Sequence, residues 1–178
     1  MEDKISSIAQ VDKSMLMQST DGIAENESEN QSVSMIVPKT PENMGDYIDL
    51  VSAENGSNLE VKSGSVIITQ KLAKLLDLKT GDTITIKLSG HEEKEFKIGG
   101  VSKNYALHYI YITPDDFESV YGEKPVYNLS FIDLKKDTDE NSFKEQLISN
   151  DEFYGISFKN DSSRGFLNSV DSLDAIVI

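Results

Sequence analysis

The clearest constraint on the fold is a run of strict alternation at residues 83–88. Polar side chains alternate there with Ile84, Ile86 and Leu88, and this period of two predicts a strand with one buried face. After a short charged turn, a second run of the same type follows at residues 95–98, which predicts the returning strand of a hairpin. The block is therefore expected to form a compact β-rich module.

A strand and a short helix are predicted immediately before this hairpin. Residues 65–68 are consecutive strand-forming residues, and the hydroxyl of Thr69 is expected to cap the helix that follows. Three side chains recur at helical spacing, which predicts a buried helix face made of Leu72, Leu75 and Leu76.

The N-terminal part of the chain predicts one helix and three strands. Apolar residues recur at helical spacing over residues 3–12, which indicates an amphipathic helix. Alternating runs at residues 14–20 and 31–37 flank an acidic loop, and they predict a strand and its returning partner. A third short strand is expected at residues 47–51.

A strand at residues 109–112 is expected to lead directly into a helix. Thr113 supplies a capping hydroxyl and Pro114 suits the first helical position, so both favour a helix start here. Gly122 is expected to end the helix. The buried helix face is predicted to consist of Phe117, Val120 and Tyr121.

The rest of the chain continues the same mixture of elements. Strands are predicted at residues 126–134 and 153–158, with a helix at 139–149 between them, and from residue 161 onward the apolar spacing is again helical. Helices that pack against one sheet are typical of an α+β fold, which is the predicted class.

Charge excludes two classes of partner. The chain has 17 basic and 31 acidic side chains, which gives a net charge of −14. Nucleic acids and anionic lipid surfaces are bound mainly through lysine and arginine, so neither is an expected partner. Cysteine is absent, which excludes disulfides, cysteine-ligated zinc and thiol catalysis.

The sequence offers no catalytic constellation. Neither the Gly-x-Ser-x-Gly elbow of esterases nor a nucleotide-binding P-loop is present. The two histidines are His91, expected to be exposed at the hairpin turn, and His108, expected to be packed or capping at the start of a strand. The chain is therefore predicted to have no catalytic residues and no cofactor.

Two acidic motifs are better explained by structural roles than by metal binding or acid–base catalysis. The run Asp137-x-Asp139-x-Asn141 begins like a calcium loop, but its sixth and twelfth positions hold serine and isoleucine in place of glycine and glutamate. The pair Asp115–Asp116 stands at a predicted helix start, where carboxylates interact favourably with the helix dipole. No metal site is predicted.

Tyrosines are concentrated in the second half of the chain and offer a candidate interaction surface. Tyr105, Tyr109 and Tyr111, together with Tyr121 and Tyr127, are either the lining of a ligand groove or, for residues 109 and 111, one ordinary face of a strand. The residues put forward for this candidate interaction surface are Tyr105, His108, Tyr109 and Tyr111.

Two motifs resemble a known family. Residues 71–76 read Lys-Leu-Ala-x-x-Leu and residues 78–84 read Leu-Lys-x-Gly-Asp-x-Ile, while residues 104–111 read Asn-Tyr-x-x-His-Tyr-Ile-Tyr. Together they resemble the extracytoplasmic domain, or MacB-like periplasmic core domain, of FtsX/MacB-type ABC transporter permeases, especially Gram-positive members. The Leu-Lys-x-Gly-Asp element is also found in AbrB-like DNA-binding domains, which the negative charge opposes.

The resemblance implies a particular domain organisation. Residues 1–60 and 104–160 would form a split α/β porter-like subdomain, and residues 61–103 an inserted, small β-rich sabre-like subdomain. Residues 161–178 would form a helix that leads into a membrane span, and the N-terminal helix would continue backward into another. The chain is then expected to be the excised extracellular part of a longer membrane protein.

The same resemblance implies a function without catalysis. The domain would lie on the extracellular side of the cell membrane and couple ATP hydrolysis by a separate ATP-binding subunit to movement outside. Peptide or antibiotic export, lipoprotein release and activation of an extracellular partner remain open, with a peptide or protein partner outside the cell. The alternative is a free-standing secreted or cell-surface binding module, and the excised domain is expected to be monomeric.

Overall fold

The chain folds into an α+β structure in which strands predominate. The computed structural model describes residues 5–26, 29–103, 108–149, 156–158 and 175–177. The strands of the described residues are β1 (Val11–Glu25), β2 (Asn30–Pro38), β3 (Val66–Thr69), β4 (Thr83–Leu88), β5 (Lys94–Ser102), β6 (Tyr109–Tyr111), β7 (Leu129–Leu134), β8 (Ile156–Phe158) and β9 (Ala175–Val177). The helices of the same residues are a 3-10 helix, η1 (Pro41–Asp46), and the α-helices α1 (Gln70–Leu75), α2 (Pro114–Tyr121) and α3 (Glu140–Ile148).

Six of the strands close into a ring. Each is hydrogen-bonded to two neighbours in the order β1–β2–β6–β3–β5–β4 and back to β1. The β2–β6 and β3–β5 pairs are parallel, and the other four pairs are antiparallel. These six strands, with α1 and α2, are called the ring below.

Strand β1 joins the ring to a second set of strands, because its 15 residues are long enough to pair with two neighbours along one edge. Gly22–Glu25 pair with β4, whereas Val11–Met17 pair with β7, which continues through β9 to β8. Between these two pairings, the side chain of Asn128 forms the hydrogen bonds that a neighbouring strand would otherwise make with Ser19. Ser19 N donates to Asn128 Oδ1 at 2.8 Å, and Asn128 Nδ2 donates to Ser19 O at 2.9 Å. Strands β7, β9 and β8, with α3, are called the wing.

The interior of the ring holds the largest apolar cluster. All six strands contribute to it, and α1 and α2 add Leu72, Leu76 and Phe117. Ile84, Ile86 and Leu88 are all buried in this cluster, as the alternation predicted. A smaller cluster in the wing packs Ile5, Leu16, Ile132, Phe143 and Leu147 together.

A third cluster lies on the outer face of the ring under residues 41–64, which are called the cover below. Met44, Tyr47, Leu50 and Val61 of the cover are buried in it. The ring contributes Ile36, Ile67 and Tyr111, which alternate with side chains of the interior, together with Met15 and Met17 of β1, and β7 contributes Leu129 and Phe131. Several ring strands are thus buried on both faces, which explains their nearly continuous apolar sequences.

Helix α2 has the boundaries that the sequence predicted. Thr113 Oγ1 accepts a hydrogen bond from Asp116 N at 3.2 Å, and Pro114 occupies the first turn. Gly122 ends the helix with a φ of 75°, which is the left-handed conformation that glycine adopts without strain. Phe117 is fully buried, and Val120 and Tyr121 are partly buried against the same cluster.

Two expectations for the N-terminal part are wrong. The helix expected over residues 3–12 is cut short, because β1 already begins at Val11. The strand expected at residues 47–51 is not formed; Val51 makes an isolated bridge to Asn58 and its carbonyl accepts a hydrogen bond from Lys103 N at 2.7 Å. In both places buried apolar side chains belong to irregular chain that packs on the sheet, and short apolar runs do not distinguish this from a regular element.

Two details of the predicted helices are also corrected. Helix α1 begins after Thr69, but the Thr69 side chain makes no capping hydrogen bond, and Leu75 is 40% exposed while Leu72 and Leu76 are buried. In the segment expected to be helical from residue 161 onward, Ala175–Val177 form strand β9, antiparallel to β7. Residues 161–174 and 178 of that segment lie outside the described residues.

The sheet is not divided between the two implied subdomains. Strands β3, β4 and β5 come from residues 61–103, and β2 and β6 come from the flanking parts, 1–60 and 104–160. All five lie in the same ring and bury side chains in one shared cluster. The division into porter-like and sabre-like parts therefore stays a prediction.

Candidate functional site

Strand β6 carries the predicted interaction residues and lies between β2 and β3 in the ring. Ile110 and Ile112 point into the interior cluster, so Tyr109 and Tyr111 lie on the opposite face, which the cover overlies. Their ring centroids are 6.2 Å apart. The sequence therefore assigned both tyrosines correctly to one strand face.

Tyr111 is a packing residue and offers no surface to a partner. It is 3% exposed, and burial raises the pKa of its hydroxyl above the ordinary value, with a smaller contribution from Tyr109. Tyr109 is partly buried against the same cluster. The proposed interaction surface is corrected accordingly: Tyr111 is removed, Tyr109 remains at its border, and Tyr105 lies outside the described residues.

His108 stands at the entry to β6 and is packed, as expected. Its Nδ1 is 3.1 Å from the carbonyl oxygen of Ser32, and its own carbonyl accepts a hydrogen bond from Ser34 N at 3.0 Å. These contacts fix the start of the β2–β6 pairing. Its Nε2 is buried and has no hydrogen-bond partner within the described part of the chain.

The remaining tyrosines do not share a groove with β6. Tyr121 packs on the ring cluster, with its ring centroid 4.9 Å from Phe117 and 4.9 Å from His91, and Tyr127 packs on the wing cluster. Burial raises the pKa of Tyr121 to about 12. The four of these tyrosines that the structure describes are thus distributed over three separate clusters.

His91 connects the β4–β5 turn to the end of α2. Its Nε2 is 3.0 Å from Glu123 Oε1, and its Nδ1 is 3.1 Å from the carbonyl oxygen of Ser89. The edge of the imidazole packs on Tyr121. The side chain is 24% exposed, so it is more buried than a residue at a charged turn was expected to be.

A cleft of about 570 Å³ opens where β6 ends and α2 begins. Three stretches of chain form its walls: the start of η1, the segment 60–63 of the cover, and the first residues of α2. The lining residues are Lys39, Pro41, Glu42, Glu60, Val61, Lys62, Ser63, Thr113, Pro114 and Asp115.

A second hollow of about 190 Å³ extends this cleft along η1. The two share Pro41, Glu42 and Glu60, and the hollow runs on to Leu50 and Asn58. The cleft and the hollow are together called the groove below. It lies along the cover, on the side of β6 opposite to His108.

The first residues of α2 hold one wall of the groove in place. The carboxylate of Asp116 accepts hydrogen bonds from Ser63 Oγ at 2.7 Å and from Gly64 N at 2.8 Å. One carboxylate thereby ties the end of the cover to the helix. The neighbouring Asp115 lines the groove instead.

Lys13 of β1 holds the other end of the cover. Its ammonium forms an ion pair with Asp133 at 3.0 Å, donates to the carbonyl oxygen of Asp46 at 3.2 Å, and lies 4.9 Å above the ring of Tyr47. The hydrogen bond with Asp133 raises the pKa of Lys13. These contacts link the end of η1 to β1 and β7.

The charges in the groove are unevenly paired. Lys62 Nζ is 2.9 Å from Glu60 Oε2, and this hydrogen bond lowers the pKa of Glu60. Glu42 and Asp115 form no ion pair within the described ranges of the chain. Two carboxylates at the groove therefore have no cationic partner in the part of the chain that the structure describes.

Among the described residues there is no group of three or more histidine, cysteine, aspartate or glutamate side chains placed to bind a metal. None of the helices in the described ranges has the length and apolar composition needed to span a membrane.

Sequence reasoning did not identify the groove. A weak signal for it exists, because Thr40–Pro41–Glu42 repeats the Thr113–Pro114–Asp115 pattern that correctly marked the start of α2. Two helix starts with the same sequence pattern thus flank one cleft, although only Thr113 makes the capping hydrogen bond. The segment between residues 58 and 63 is too short to indicate a site, and only the tertiary structure shows what it lines.

The comparisons with known proteins show a shared fold. No protein-family model matches the chain, and no curated protein matches it. The extracellular domain of the noncanonic ABC-type transporter YknZ from Gram-positive bacteria matches with a TM-score of 0.55 and 15% identity, over 99% of this chain and 86% of that one. At this identity the match is one of fold, and it confirms at that level the resemblance expected from the sequence.

Two further solved structures match less well. The periplasmic region of MacB from Actinobacillus actinomycetemcomitans has a TM-score of 0.47 and 15% identity, over 83% of this chain and 71% of that one. A domain of a putative permease protein from Porphyromonas gingivalis has a TM-score of 0.45 and 10% identity, over 99% of this chain and 80% of that one.

Proposed function

We propose that this chain is the extracellular domain of an ABC transporter permease and has no catalytic activity of its own. The observation that carries the proposal is the fold shared with the extracellular domain of YknZ over 99% of the chain. The motifs at residues 71–84 and 104–111 point to the same family independently of the fold. A separate ATP-binding subunit is then the cytoplasmic partner.

The topology of the wing fits a domain inserted between two membrane spans. The first part of β1 and strand β9 both pair with β7, at Val11–Leu134 and Ser130–Val177. Strands β1 and β9 therefore flank β7 in the same part of the sheet. In this proposal a movement at the membrane enters through the wing and reaches the ring through β1, which is one continuous strand.

In this proposal the domain acts outside the membrane by binding a partner at its surface and not by catalysing a reaction. His108 and Tyr109, with Tyr105, stay the proposed interaction surface at the entry of β6, where a peptide or protein partner would bind. Peptide or antibiotic export, lipoprotein release and partner activation are all compatible with such a surface.

The decisive experiment is on the full-length gene product. The reading frame should encode apolar runs of about 18 or more residues on both sides of this chain, and the protein should copurify from membranes with an ATP-binding subunit. A reading frame without such runs would contradict the proposal and favour the alternative, a free-standing secreted or cell-surface binding module.

Coupling to ATP can be measured in the same preparation. The chain has no cysteine, so Ile148→Cys on α3 and Leu75→Cys on α1, both partly exposed positions, provide single labelling sites in the wing and the ring. Energy transfer to dyes on the lipid headgroups should change on ATP addition at both positions. No change at either position would contradict transmission of movement through this domain.

A further inference from the structure

We propose that the groove is a docking site for an extended, basic segment of a partner polypeptide, which pairs with the main chain of Glu60–Lys62. The proposal concerns the surface of this chain and does not depend on its attachment to a transporter. It rests on the conformation of this segment, on its unpaired main chain, on the space beside it and on the charges that line that space.

The segment Glu60–Lys62 has the side-chain pattern of a strand. Val61 is 6% exposed and packs into the cluster under the cover. The side chains of Glu60 and Lys62 are each 73% exposed and are joined at 2.9 Å. This alternation of exposed, buried and exposed side chains is the pattern of an extended chain, in which successive side chains point to opposite faces.

The segment is fixed at both ends, but its main chain is unpaired in between. Leu59 N donates to Leu50 O at 2.7 Å, and Gly64 N donates to the carboxylate of Asp116. Within the described residues, the main-chain N–H and C=O groups of Glu60–Lys62 have no hydrogen-bond partner. A short, pre-extended segment with unpaired groups is the template onto which an added strand can pair.

The groove provides the space that such a strand needs. The cleft of about 570 Å³ lies directly against residues 60–63 and continues into the smaller hollow along η1. Its volume falls within the range of about 300–1,000 Å³ that is typical of binding pockets. Pro41 and Pro114 in its walls have no N–H group, so they do not compete for the acceptors of an added strand.

The charges in the groove select a basic segment. Four carboxylates line the groove, at Glu42, Asp49, Glu60 and Asp115, against two lysines, Lys39 and Lys62, so its lining carries a net negative charge. Lys62 is paired with Glu60, and Glu42 and Asp115 have no cationic partner among the described residues. The net charge of −14 adds a long-range attraction for cationic partners. A second copy of this chain carries the same negative charge and is disfavoured as the occupant.

The first test measures binding of a probe peptide to the 178-residue chain by fluorescence anisotropy. The probe is a labelled heptapeptide of alternating lysine and valine, and glutamate replaces lysine in its acidic counterpart. We expect saturable binding of the basic peptide and at least tenfold weaker binding of the acidic one. Equal binding of the two peptides, or no binding of the basic one, would overturn the proposal.

Matched variants separate docking in the groove from general attraction between opposite charges. The double variant Glu42→Gln/Asp115→Asn should weaken binding about tenfold. The control Glu54→Gln/Glu118→Gln removes the same charge from exposed residues that do not line the groove, and it should change binding less than twofold. Equal effects of both double variants would show non-specific attraction and would contradict the assignment to the groove.

Main-chain pairing is tested with N-methylated peptides. The N–H groups of a strand alternate between its two edges, so methylation of every second residue blocks one edge and leaves the other intact. Methylation in one register should abolish binding, and methylation in the other should preserve it. The amides of Glu60–Lys62 should become protected from hydrogen exchange on binding of the parent peptide. Protection elsewhere, or insensitivity to methylation in both registers, would exclude strand pairing here.

Discussion

The ring and the cover both bury apolar side chains, but they are held together by different means. Every ring strand is hydrogen-bonded to two neighbours, and all six share one cluster. The cover has one short helix and an extended segment whose main chain is unpaired within the described residues. It is attached through side chains such as Lys13 and Asp116, and through two main-chain hydrogen bonds at the end of β5, from Ala53 N to Val101 O and from Lys103 N to Val51 O. The ring is therefore expected to unfold as one unit, whereas the cover can open locally. A groove bordered by the cover can adjust to a partner without cost to the ring.

The largest expected effect is a truncation inside the ring. Ile86 is fully buried in the ring cluster, so Ile86→Ala should lower the free energy of unfolding by about 3 kcal/mol through lost burial and the cavity left behind. Val61→Ala in the cover should lower the free energy of unfolding by about 1 kcal/mol. Urea unfolding followed by circular dichroism measures both. Equal losses would show that the cover belongs to the same cooperative unit as the ring.

A pair of glycines gives the next largest contrast. A Cβ atom at Gly22 would lie 2.7 Å from the carbonyl oxygen of Lys87 on β4, whereas at Gly45 in the cover it would meet nothing within 4 Å. Gly22→Ala must push β1 away from β4 and should cost about 2 kcal/mol. Gly45→Ala should be neutral or slightly stabilising. Thermal unfolding of both variants provides the comparison, and a neutral Gly22→Ala would show that the ring tolerates displacement of its strands.

The same contrast explains how much of the fold could be predicted from the sequence. Residues 83–88 alternate strictly because one face packs inward and the other faces solvent, so the hairpin of β4 and β5 was predictable. The cover is irregular chain, and its buried residues at 47–51 obey no period, which is why a strand was wrongly expected there. Strand β9 was not predicted, because the apolar residues near it recur at helical spacing. Its pairing with β7 depends on tertiary structure, which this spacing does not reveal.

The candidate site follows the same rule. Alternation correctly placed Tyr109 and Tyr111 on one face of β6, but it could not show that the cover buries Tyr111. The groove was not predictable, because Glu42, Glu60 and Asp115 come from three separate parts of the chain. Only ring closure and the attachment of the cover bring these side chains to one cleft.

A tether of the cover offers a local test. Asp116→Asn replaces one carboxylate oxygen, which accepts a hydrogen bond from Ser63 or Gly64, with an amide nitrogen that cannot accept one. The free energy of unfolding should fall by about 1 kcal/mol. Hydrogen exchange in the cover near Gly64 should become about fivefold faster, while amides of β4 should be unchanged. Asp115→Asn is the matched control, because it removes the same charge from the same helix turn but no tether. Faster exchange in β4 as well would contradict independent opening of the cover.

The smallest expected effect is a gain in stability from Tyr121→Phe. The Tyr121 hydroxyl is buried and has no hydrogen-bond partner among the described residues, so its removal eliminates an unsatisfied polar group. At pH 7 the variant should be more stable by about 0.5–1 kcal/mol in thermal unfolding. Tyr47→Phe in the cover should lack this gain, because the hydroxyl of Tyr47 is not among the buried unpartnered groups of the described residues.

Alkaline titration gives the same substitution a second, independent measure. Burial raises the pKa of Tyr121 to about 12 in the folded protein. The unfolded chain therefore loses this proton from about pH 10, before the folded protein does, and the free energy of unfolding falls as the pH rises from about 10 toward 12. Tyr121→Phe should therefore lose less stability over this window than the unsubstituted chain. Tyr47→Phe should alter the slope less, because the nearby Lys13 charge opposes the rise that burial causes in the Tyr47 pKa. Equal slopes for all three proteins would show that Tyr121 is as accessible to solvent as a residue of the cover.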